Sequence, residues 1–228
     1  MKKISLIIVL CMVCLAGFSQ KYNTDSLIKV QKDSSLRAAI HEDSVKIEKQ
    51  FAERERWEKI KTTAIFPVIN AGEYSGVAPV KDPTEIPDPK IDYKLLFELT
   101  ANNPDSVAKE NNYGLVEVAR IINLHVASGI PVNKIMPVIV VHAGALKAFS
   151  TNKYYKDHYK LDNPNLKLLN ELKNIGAKFI ACGQAMTFLN IKKEDLVDDV
   201  KVSLTAQTVK SSYQLKGYVL YDLGDVGK

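Results

Sequence analysis

The chain has 228 residues, which is enough for one packed domain with an extension and too few for two full-sized α/β domains. Its composition, 46% hydrophobic and 25% charged, is that of a globular protein and excludes a wholly disordered chain or a membrane protein with many spans. The formal net charge of +5 falls to about +3 without Lys2 and Lys3, and so mild a positive charge argues against a nucleic-acid partner.

Residues 1–19 have the pattern of a secretory signal peptide. A basic start at residues 2–3 precedes an apolar run at residues 4–15, and small residues follow at 16–17. The alternative, an uncleaved membrane anchor, needs roughly 20 apolar residues, and this run is shorter. We therefore expect cleavage near Gln20, a periplasmic or secreted chain, and no stable insertion in the membrane after cleavage.

Cysteine usage follows from that expectation. Cys11 and Cys14 lie inside the predicted signal peptide, so the exported chain keeps only Cys182 and cannot form an internal disulfide. In an oxidising compartment a lone thiol is buried and inert, paired between chains, or kept for its reactivity. The sequence leaves these three alternatives open at this point.

Residues 20–61 are predicted to form an amphipathic helix. Leu36, Ile40, Ile47 and Phe51 recur at spacings of four and seven, and no proline or glycine interrupts the segment. Such a helix is either a solvated arm that packs against its own domain, or a helix that oligomerises or binds a partner. The heptad pattern is too short to choose between them.

Residues 62–90 are predicted to be a linker. Five prolines and two glycines exclude a long helix or strand there. The apolar residues 66–69 favour a segment that lies on the domain rather than one that extends into solvent.

Residues 91–228 alternate between strand and helix patterns, which predicts an α/β domain. The run from Ile135 to Val141 is continuously apolar, as in a strand that is buried on both faces. Alternation of this kind predicts a mostly parallel sheet with helices on both faces. The predicted strands are 93–99, 135–141, 177–181, 200–204 and 218–221, and the predicted helices cover 115–126, 166–175, 184–189 and 206–215.

Cys182 is the first candidate for chemistry. It follows the predicted strand 177–181, and ligands of open α/β sheets bind at the carboxyl ends of strands. Gly183 and Gln184 lead into a helix, whose amino terminus would favour a thiolate and whose turn would offer groups for substrate binding. The alternative is that Cys182 is a small buried apolar residue, as free cysteines commonly are.

His142 is the second candidate, because it closes the apolar strand 135–141 at the same predicted edge. If the two strands are neighbours, its imidazole can relay a proton for the Cys182 thiol, or it can simply make a structural hydrogen bond. Asn102 and Asn103 follow the first strand and reach the same edge. They either bind an oxygen of the substrate or only form the turn.

Several other chemistries lack their defining patterns. The sequence has no G-x-G-x-x-G after a strand, no G-x-x-x-x-G-K-[ST] and no G-x-S-x-G, so nucleotide and serine-hydrolase sites are not expected. The four histidines have no paired metal-ligand spacing, and one cysteine cannot build a structural zinc site. We therefore expect no cofactor and no metal.

Four segments carry a resemblance to a known family. They are Lys178–Ala185 (KFIACGQA), Asn163–Leu166 with the helix after it, Val138–Ala143, and Val202–Tyr218 at the closing end. Together they resemble the DsrE/DsrF-like family over roughly residues 91–223. The resemblance implies a Rossmann-like or flavodoxin-like subunit that assembles into a homo-oligomer, a trimer or hexamer.

The resemblance also implies a function. In the sulfur-relay members of that family a cysteine carries sulfur as a persulfide, and Cys182 matches its place after the third strand. The leading hypothesis is that Cys182 accepts and transfers sulfane sulfur, with a thiol or persulfide protein as partner, and it requires an accessible thiol. The alternative is a non-enzymatic oligomeric binding module for a small ligand or a partner protein. Export and the amino-terminal extension depart from the family pattern, so substrate and partner do not carry over.

Overall fold

The computed structural model describes residues 24–224. The chain divides into two compact units, one up to Glu58 and the other from Lys59 onward. The predicted signal peptide lies outside the described residues. Within the described part of the chain, no helix has the length and apolar character needed to cross a membrane.

Helix α1 spans Thr24–Thr63 and covers most of the segment 20–61, for which the sequence predicts an amphipathic helix. Its 40 residues include no proline or glycine, so nothing in the sequence interrupts the backbone hydrogen bonds. From residue 28 to residue 59 every side chain is exposed. The exposed large apolar side chains are Ile28, Val30, Leu36, Ile40, Val45, Ile47, Phe51 and Trp57.

The second unit contains a five-stranded, all-parallel sheet, which confirms the predicted α/β class. Its strands lie in the order β4-β3-β2-β1-β5. The three central strands are apolar and almost fully buried, as expected for strands covered on both faces. The strands are β1 Tyr93–Leu99, β2 Ile135–Val141, β3 Lys178–Cys182, β4 Val200–Ser203 and β5 Val219–Asp222.

Helices connect the strands and cover both faces of the sheet. They are α2 Tyr113–Ala127, α3 Asn152–Tyr159, α4 Leu166–Asn174, α5 Gly183–Leu189 and α6 Ala206–Leu215. The connections from β1 to β4 advance in one direction across the sheet, whereas α6 returns from β4 to β5 in the other direction. Because parallel crossovers are right-handed, α6 lies on the opposite face from α2, α4 and α5.

The two faces of the sheet are packed differently. The core face is the one covered by α2, α4 and α5, and it includes Leu95, Phe97 and Leu99 of β1 in one large apolar cluster. The α6 face is the other one, and it includes Leu96 of β1 in a cluster of six buried residues. The alternation of side chains along each strand assigns successive residues to opposite faces.

The predicted linker is part of the second unit and lies on α2. Ile69 is 2% exposed, which agrees with the expectation that residues 66–69 lie on the domain. The fully buried Asn123 of α2 accepts hydrogen bonds from the N–H groups of Val68 and Ile69 and donates to the carbonyls of Ile69 and Ser75. These four bonds satisfy backbone groups that no regular structure would pair.

Most element boundaries agree with the prediction to within two residues, and the differences have a structural cause. Strand β3 extends to Cys182 because Cys182 pairs with Ser203 of β4. The helix α3 and the 3-10 segment Ala143–Phe149 were not predicted. Their apolar and aromatic residues lack a clear helical period, and Thr151 starts α3 through a side-chain cap to the N–H of Tyr154.

Candidate functional site

The two main candidates, Cys182 and His142, both lie at the carboxyl edge of the sheet. At this edge the connections of neighbouring strands leave toward opposite faces. After β3 the chain turns into α5 on the core face, and after β4 it turns into α6 on the opposite face. Adjacent strands whose connections leave toward opposite faces form the crevice where ligands of open α/β sheets bind. Cys182, the last residue of β3, lies at this point.

The Cys182 side chain lies on the α6 face and is buried. The residue is 5% exposed and belongs to the cluster that contains Ile180 of the same strand and Ala206 of α6. The expectation of an accessible thiol is therefore not met in this structure. Ala206, in the first turn of α6, belongs to the same buried cluster as the thiol.

Gly183 and Gln184 form the turn that follows the thiol, and close backbone packing defines it. A Cβ atom on Gly183 would stand 2.7 Å from the carbonyl oxygen of Ser203, so any other residue there would force the turn to shift. The N–H of Gln184 donates to the carbonyl of Leu204 at 3.1 Å, and its side chain is exposed. One N–H group of the turn is therefore hydrogen-bonded to the residue that follows β4. The helix after the turn, α5, has seven residues.

His142 and Cys182 lie at the carboxyl ends of two neighbouring strands. Strands β2 and β3 pair in parallel, with Val141 opposite Ala181, so His142 and Cys182 occupy the next position of the same register. Neighbouring strands are about 4.8 Å apart, and residues at the same position of a parallel pair point to the same face. This confirms the condition set by the sequence, that the strands carrying the two candidates are neighbours.

A charged network surrounds the imidazole. Nε2 of His142 donates to Oε1 of Glu98 at 2.8 Å, and Nζ of Lys210 donates to the same oxygen at 2.7 Å. Glu98 lies on β1 and is only 6% exposed, whereas Lys210 reaches it from α6. The network connects three elements, β1, the turn after β2, and α6, on the face that holds Cys182.

The balance of forces on Glu98 keeps it ionised. Burial raises the pKa of the Glu98 carboxyl, but the hydrogen bonds and charges of Lys210 and His142 outweigh burial and hold that pKa below its ordinary value. An ionised carboxylate only accepts hydrogen bonds, so Nε2 of His142 carries its proton. Nδ1 is then the ring atom that can accept a proton from a neighbouring thiol.

The two asparagines have separate surroundings. Asn103 is 8% exposed, donates to the carbonyl of Asn111 and accepts from the N–H of Tyr113, so it holds the loop between β1 and α2. Asn102 is half-buried, and its side chain donates to the hydroxyl of Tyr159 at 3.3 Å. Of the two, Asn102 keeps side-chain surface at the edge.

The sequence interpretation missed Glu98 and Lys210. Glu98 had a signal, because it is the one acidic residue inside the apolar strand KLLFEL, and a buried carboxylate requires a partner. No sequence signal pointed to Lys210, because a lysine on a polar helix is ordinarily solvated. Only the packing of α6 on the sheet brings it to Glu98. Among residues 24–224, no three or more His, Cys, Asp and Glu side chains cluster closely enough to bind a metal ion.

A groove lies elsewhere in the second unit. It has a volume of about 880 Å³ and is lined by the segment at Gly72–Tyr74, the loop at Lys109–Asn111 and one side of α2. None of the predicted site residues lines it. The groove is therefore a feature of α2 that is separate from the carboxyl edge of the sheet.

Comparison with known protein families adds to this geometry. The model of the DsrE/DsrF-like family matches residues 94–220, which is more than half of the chain. The chain belongs to the DsrE/DsrF-like family. The matched range contains Glu98, His142, Cys182 and Lys210, so the whole charged network and the thiol lie in the family's part of the chain.

Among solved structures, the chain is similar to MTH1491 from Methanobacterium thermoautotrophicum, a protein of unknown function. The two are 16% identical, the match covers 57% of this chain and 99% of the other, and the TM-score is 0.43. No curated protein matches the chain.

Proposed function

We propose that this DsrE/DsrF-like protein handles sulfane sulfur through Cys182. Membership of the family indicates a function related to sulfur relay. The single observation that carries the proposal further is that Cys182 and His142 lie at the ends of neighbouring strands, with the His142 ring bonded to Glu98, which also accepts from Lys210. A thiol next to an oriented imidazole is the arrangement that nucleophilic cysteine chemistry uses.

The proposed transfer has two balanced steps. The Cys182 thiol gives its proton to Nδ1 of His142, and the thiolate attacks the outer sulfur of a donor persulfide. A sulfur–sulfur bond forms at Cys182, the sulfur–sulfur bond of the donor breaks, and the donor leaves as a thiolate. An acceptor thiolate then attacks the outer sulfur on Cys182 in the same way and regenerates the Cys182 thiolate. No oxidant or reductant is consumed, because one persulfide replaces another.

The network gives each group a separate role. Glu98 fixes the tautomer of His142 by accepting from Nε2, which leaves Nδ1 to receive the proton. Lys210 keeps the carboxylate ionised and places a positive charge on the α6 face. A cation on that face stabilises the anionic sulfur that each step produces.

Because Cys182 is buried, the proposed reaction depends on how a sulfur donor reaches the thiol. The thiol is buried in the cluster that includes Ala206, in the first turn of α6, and Thr205 caps this turn by accepting from the N–H of Gln207. A donor reaches the sulfur when this turn moves away from the sheet. Only one helix covers this face, so such local opening costs less than opening the core face.

The test is sulfur loading followed by mass spectrometry. The protein is treated with inorganic polysulfide, freed of excess reagent, and the peptide containing Cys182 is weighed before and after addition of a thiol. We expect a gain of about 32 Da that a thiol removes, which is the mass of one sulfur atom. The variant Cys182→Ser should gain no mass on this peptide.

Two further variants separate chemistry from packing. His142→Gln and Glu98→Gln should slow loading in the folded protein and leave loading of the urea-unfolded protein unchanged. If wild-type Cys182 loads only after unfolding and also resists alkylation in the native state, Cys182 is a packing residue. The binding-module alternative then replaces the proposal.

The assembly and compartment remain part of the proposal. We expect a homo-oligomer, a trimer or hexamer, and its support is a set of exposed apolar side chains in the second unit, including Phe188 at 85% exposure and Leu204 at 75%. Light scattering after gel filtration gives the subunit number, and Phe188→Ser with Leu204→Ser should lower it. Mass spectrometry of the protein from its native cells tests whether the chain begins near Gln20.

A further inference from the structure

The exposed apolar stripe of α1 is self-complementary when a second copy of the helix runs in the opposite direction. The stripe is formed by Leu36, Ile40, Ile47 and Phe51, which are 50–60% exposed. At 100° per residue these four side chains lie within about 60° of one another on the helix surface. The stripe therefore forms a narrow seam of the width that helix pairs use.

The spacing of the stripe is symmetric about its centre. Leu36 and Phe51 are equally far from the midpoint between residues 43 and 44, and so are Ile40 and Ile47. In an antiparallel pair centred there, Leu36 faces Phe51 of the second copy and Ile40 faces Ile47. Twofold symmetry repeats each contact, which gives four apolar layers from four residues of each copy.

The charges that border the stripe follow the same symmetry. Asp33 and Arg54 lie on the stripe's face one turn beyond its two ends, and they too are equidistant from the midpoint. The antiparallel pair therefore places Asp33 of each copy opposite Arg54 of the other. A parallel pair would place Asp33 against Asp33, Asp43 against Asp43 and Arg54 against Arg54, and like charges at a helix seam are destabilising.

The centre of the seam is polar. In the antiparallel arrangement Asp43 faces Ser44 of the second copy, so the two middle layers contain no apolar contact. Polar residues in a seam lower its stability and fix its register, because other registers would place them against apolar side chains. The pattern apolar, polar, apolar thus specifies one alignment of the two helices.

From this symmetry we infer that α1 pairs with α1 of a second copy of the chain, antiparallel and centred between residues 43 and 44. The contact runs from Asp33 to Arg54, which is about 33 Å at 1.5 Å per residue. It is an interaction surface separate from the carboxyl edge of the sheet, and it does not depend on the proposed sulfur chemistry.

Cysteine cross-linking of the full chain tests the pairing, in a Cys182→Ser background. With Asp33→Cys and Arg54→Cys in the same chain, mild oxidation should give a covalent dimer on a non-reducing denaturing gel. Either substitution alone should give almost none, because the two copies of one position are then about 32 Å apart. The denaturing gel removes any association through the second unit.

A matched control is available on the opposite side of the same helix. Ala38 and Lys49 are also equidistant from the midpoint, but they lie on the far side from the stripe. The pair Ala38→Cys and Lys49→Cys should therefore give at least tenfold less dimer than the pair at positions 33 and 54. The Cys182→Ser chain without added cysteines gives the background from Cys11 and Cys14.

Charge exchange provides a second test that needs no cysteine on the helix. Asp33→Arg alone should weaken the pairing, and Asp33→Arg with Arg54→Asp should restore it, as measured by energy transfer between labels on two copies. The two residues are too far apart to interact within one helix, so only the antiparallel pair explains restoration. Dimers from the single-cysteine variants, equal dimer from the far-side control, or no dimer at all would overturn the inference.

Discussion

The two faces of the sheet differ in how they are covered and in what they bury. The core face holds one large apolar cluster and is covered by three helices, whereas the α6 face holds a small cluster and is covered by one. The titratable network of Glu98, His142 and Lys210 lies on the thinly covered face with Cys182. The larger apolar cluster lies on the core face, and the buried charged groups lie on the α6 face.

Strand β1 shows the difference within a single element. Phe97 is fully buried among apolar side chains on the core face, and the next residue, Glu98, carries a buried carboxylate on the other face. Period-two alternation allows both in adjacent positions, because their side chains never share an environment. The charged residue in this apolar strand therefore lies on the face that carries the proposed site.

The largest effect is expected on the core face, from Phe97→Ala. Phe97 is 0% exposed and stacks on Tyr221 with ring centres 5.3 Å apart. Truncation leaves a cavity, so the free energy of unfolding should fall by about 3–5 kcal/mol. Urea unfolding measures it, and Leu215→Ala, at an exposed position, should cost less than 1 kcal/mol. A similar cost for both would contradict the assignment of this face.

The next effect concerns α2, which covers the core face. Asn123→Ala removes four hydrogen bonds and leaves the N–H groups of Val68 and Ile69 without an acceptor. The loss should be about 2–3 kcal/mol, since each orphaned buried group costs 1–3 kcal/mol. Limited proteolysis should show faster cleavage within residues 64–77. Asn133→Ala, at an exposed position, is the matched control and should change neither.

On the α6 face, Glu98→Gln should lower stability at pH 7 by about 1–3 kcal/mol, because Lys210 loses its buried counter-charge. The lowered pKa of Glu98 means that the ionised carboxylate stabilises the fold above its unfolded pKa of about 4.3 and that this contribution is lost as the pH falls below it. The difference between wild type and variant should therefore shrink in acid. Urea unfolding from pH 7 to pH 3 measures it.

A comparison variant isolates burial in that experiment. Glu117 pairs with Arg120 on α2, where the arginine side chain is 40% exposed. Glu117→Gln should cost less than 1 kcal/mol at pH 7, as exposed ion pairs do. An equal cost for Glu98→Gln and Glu117→Gln would contradict the view that the α6 face depends on a buried charged network.

The smallest effect is expected at the turn between the faces. In Gly183→Ala the added Cβ meets the carbonyl of Ser203 at 2.7 Å, so the turn must shift, at a net cost of about 1 kcal/mol. Because Cys182 precedes the turn, its alkylation in the native state should become faster. Gln184→Ala should change neither stability nor alkylation. Unchanged alkylation in Gly183→Ala would mean that this turn does not control access.

The sequence predicted the elements well where periodicity was strong. The buried strand at Ile135–Val141 and the helix ended by Gly129 both form as predicted, because apolar runs and helix-ending glycines are local signals. The prediction placed Cys182 and His142 at one edge for the same reason, since both follow apolar strands. Helix α3 was missed because its aromatic and charged residues, KYYKDHY, lack such a period.

By itself, the sequence determined the α/β class, the order of strands and helices along the chain, and the positions of Cys182 and His142 at the carboxyl ends of β3 and β2. It determined these because they depend on the pattern of neighbouring residues. Only the tertiary structure decided that β2 and β3 are neighbours, that Lys210 reaches Glu98 from 112 positions away, and that Cys182 is buried in the cluster that includes Ala206 of α6. Those facts depend on strand order and helix placement, which result from the summed packing of the whole domain rather than from any local pattern.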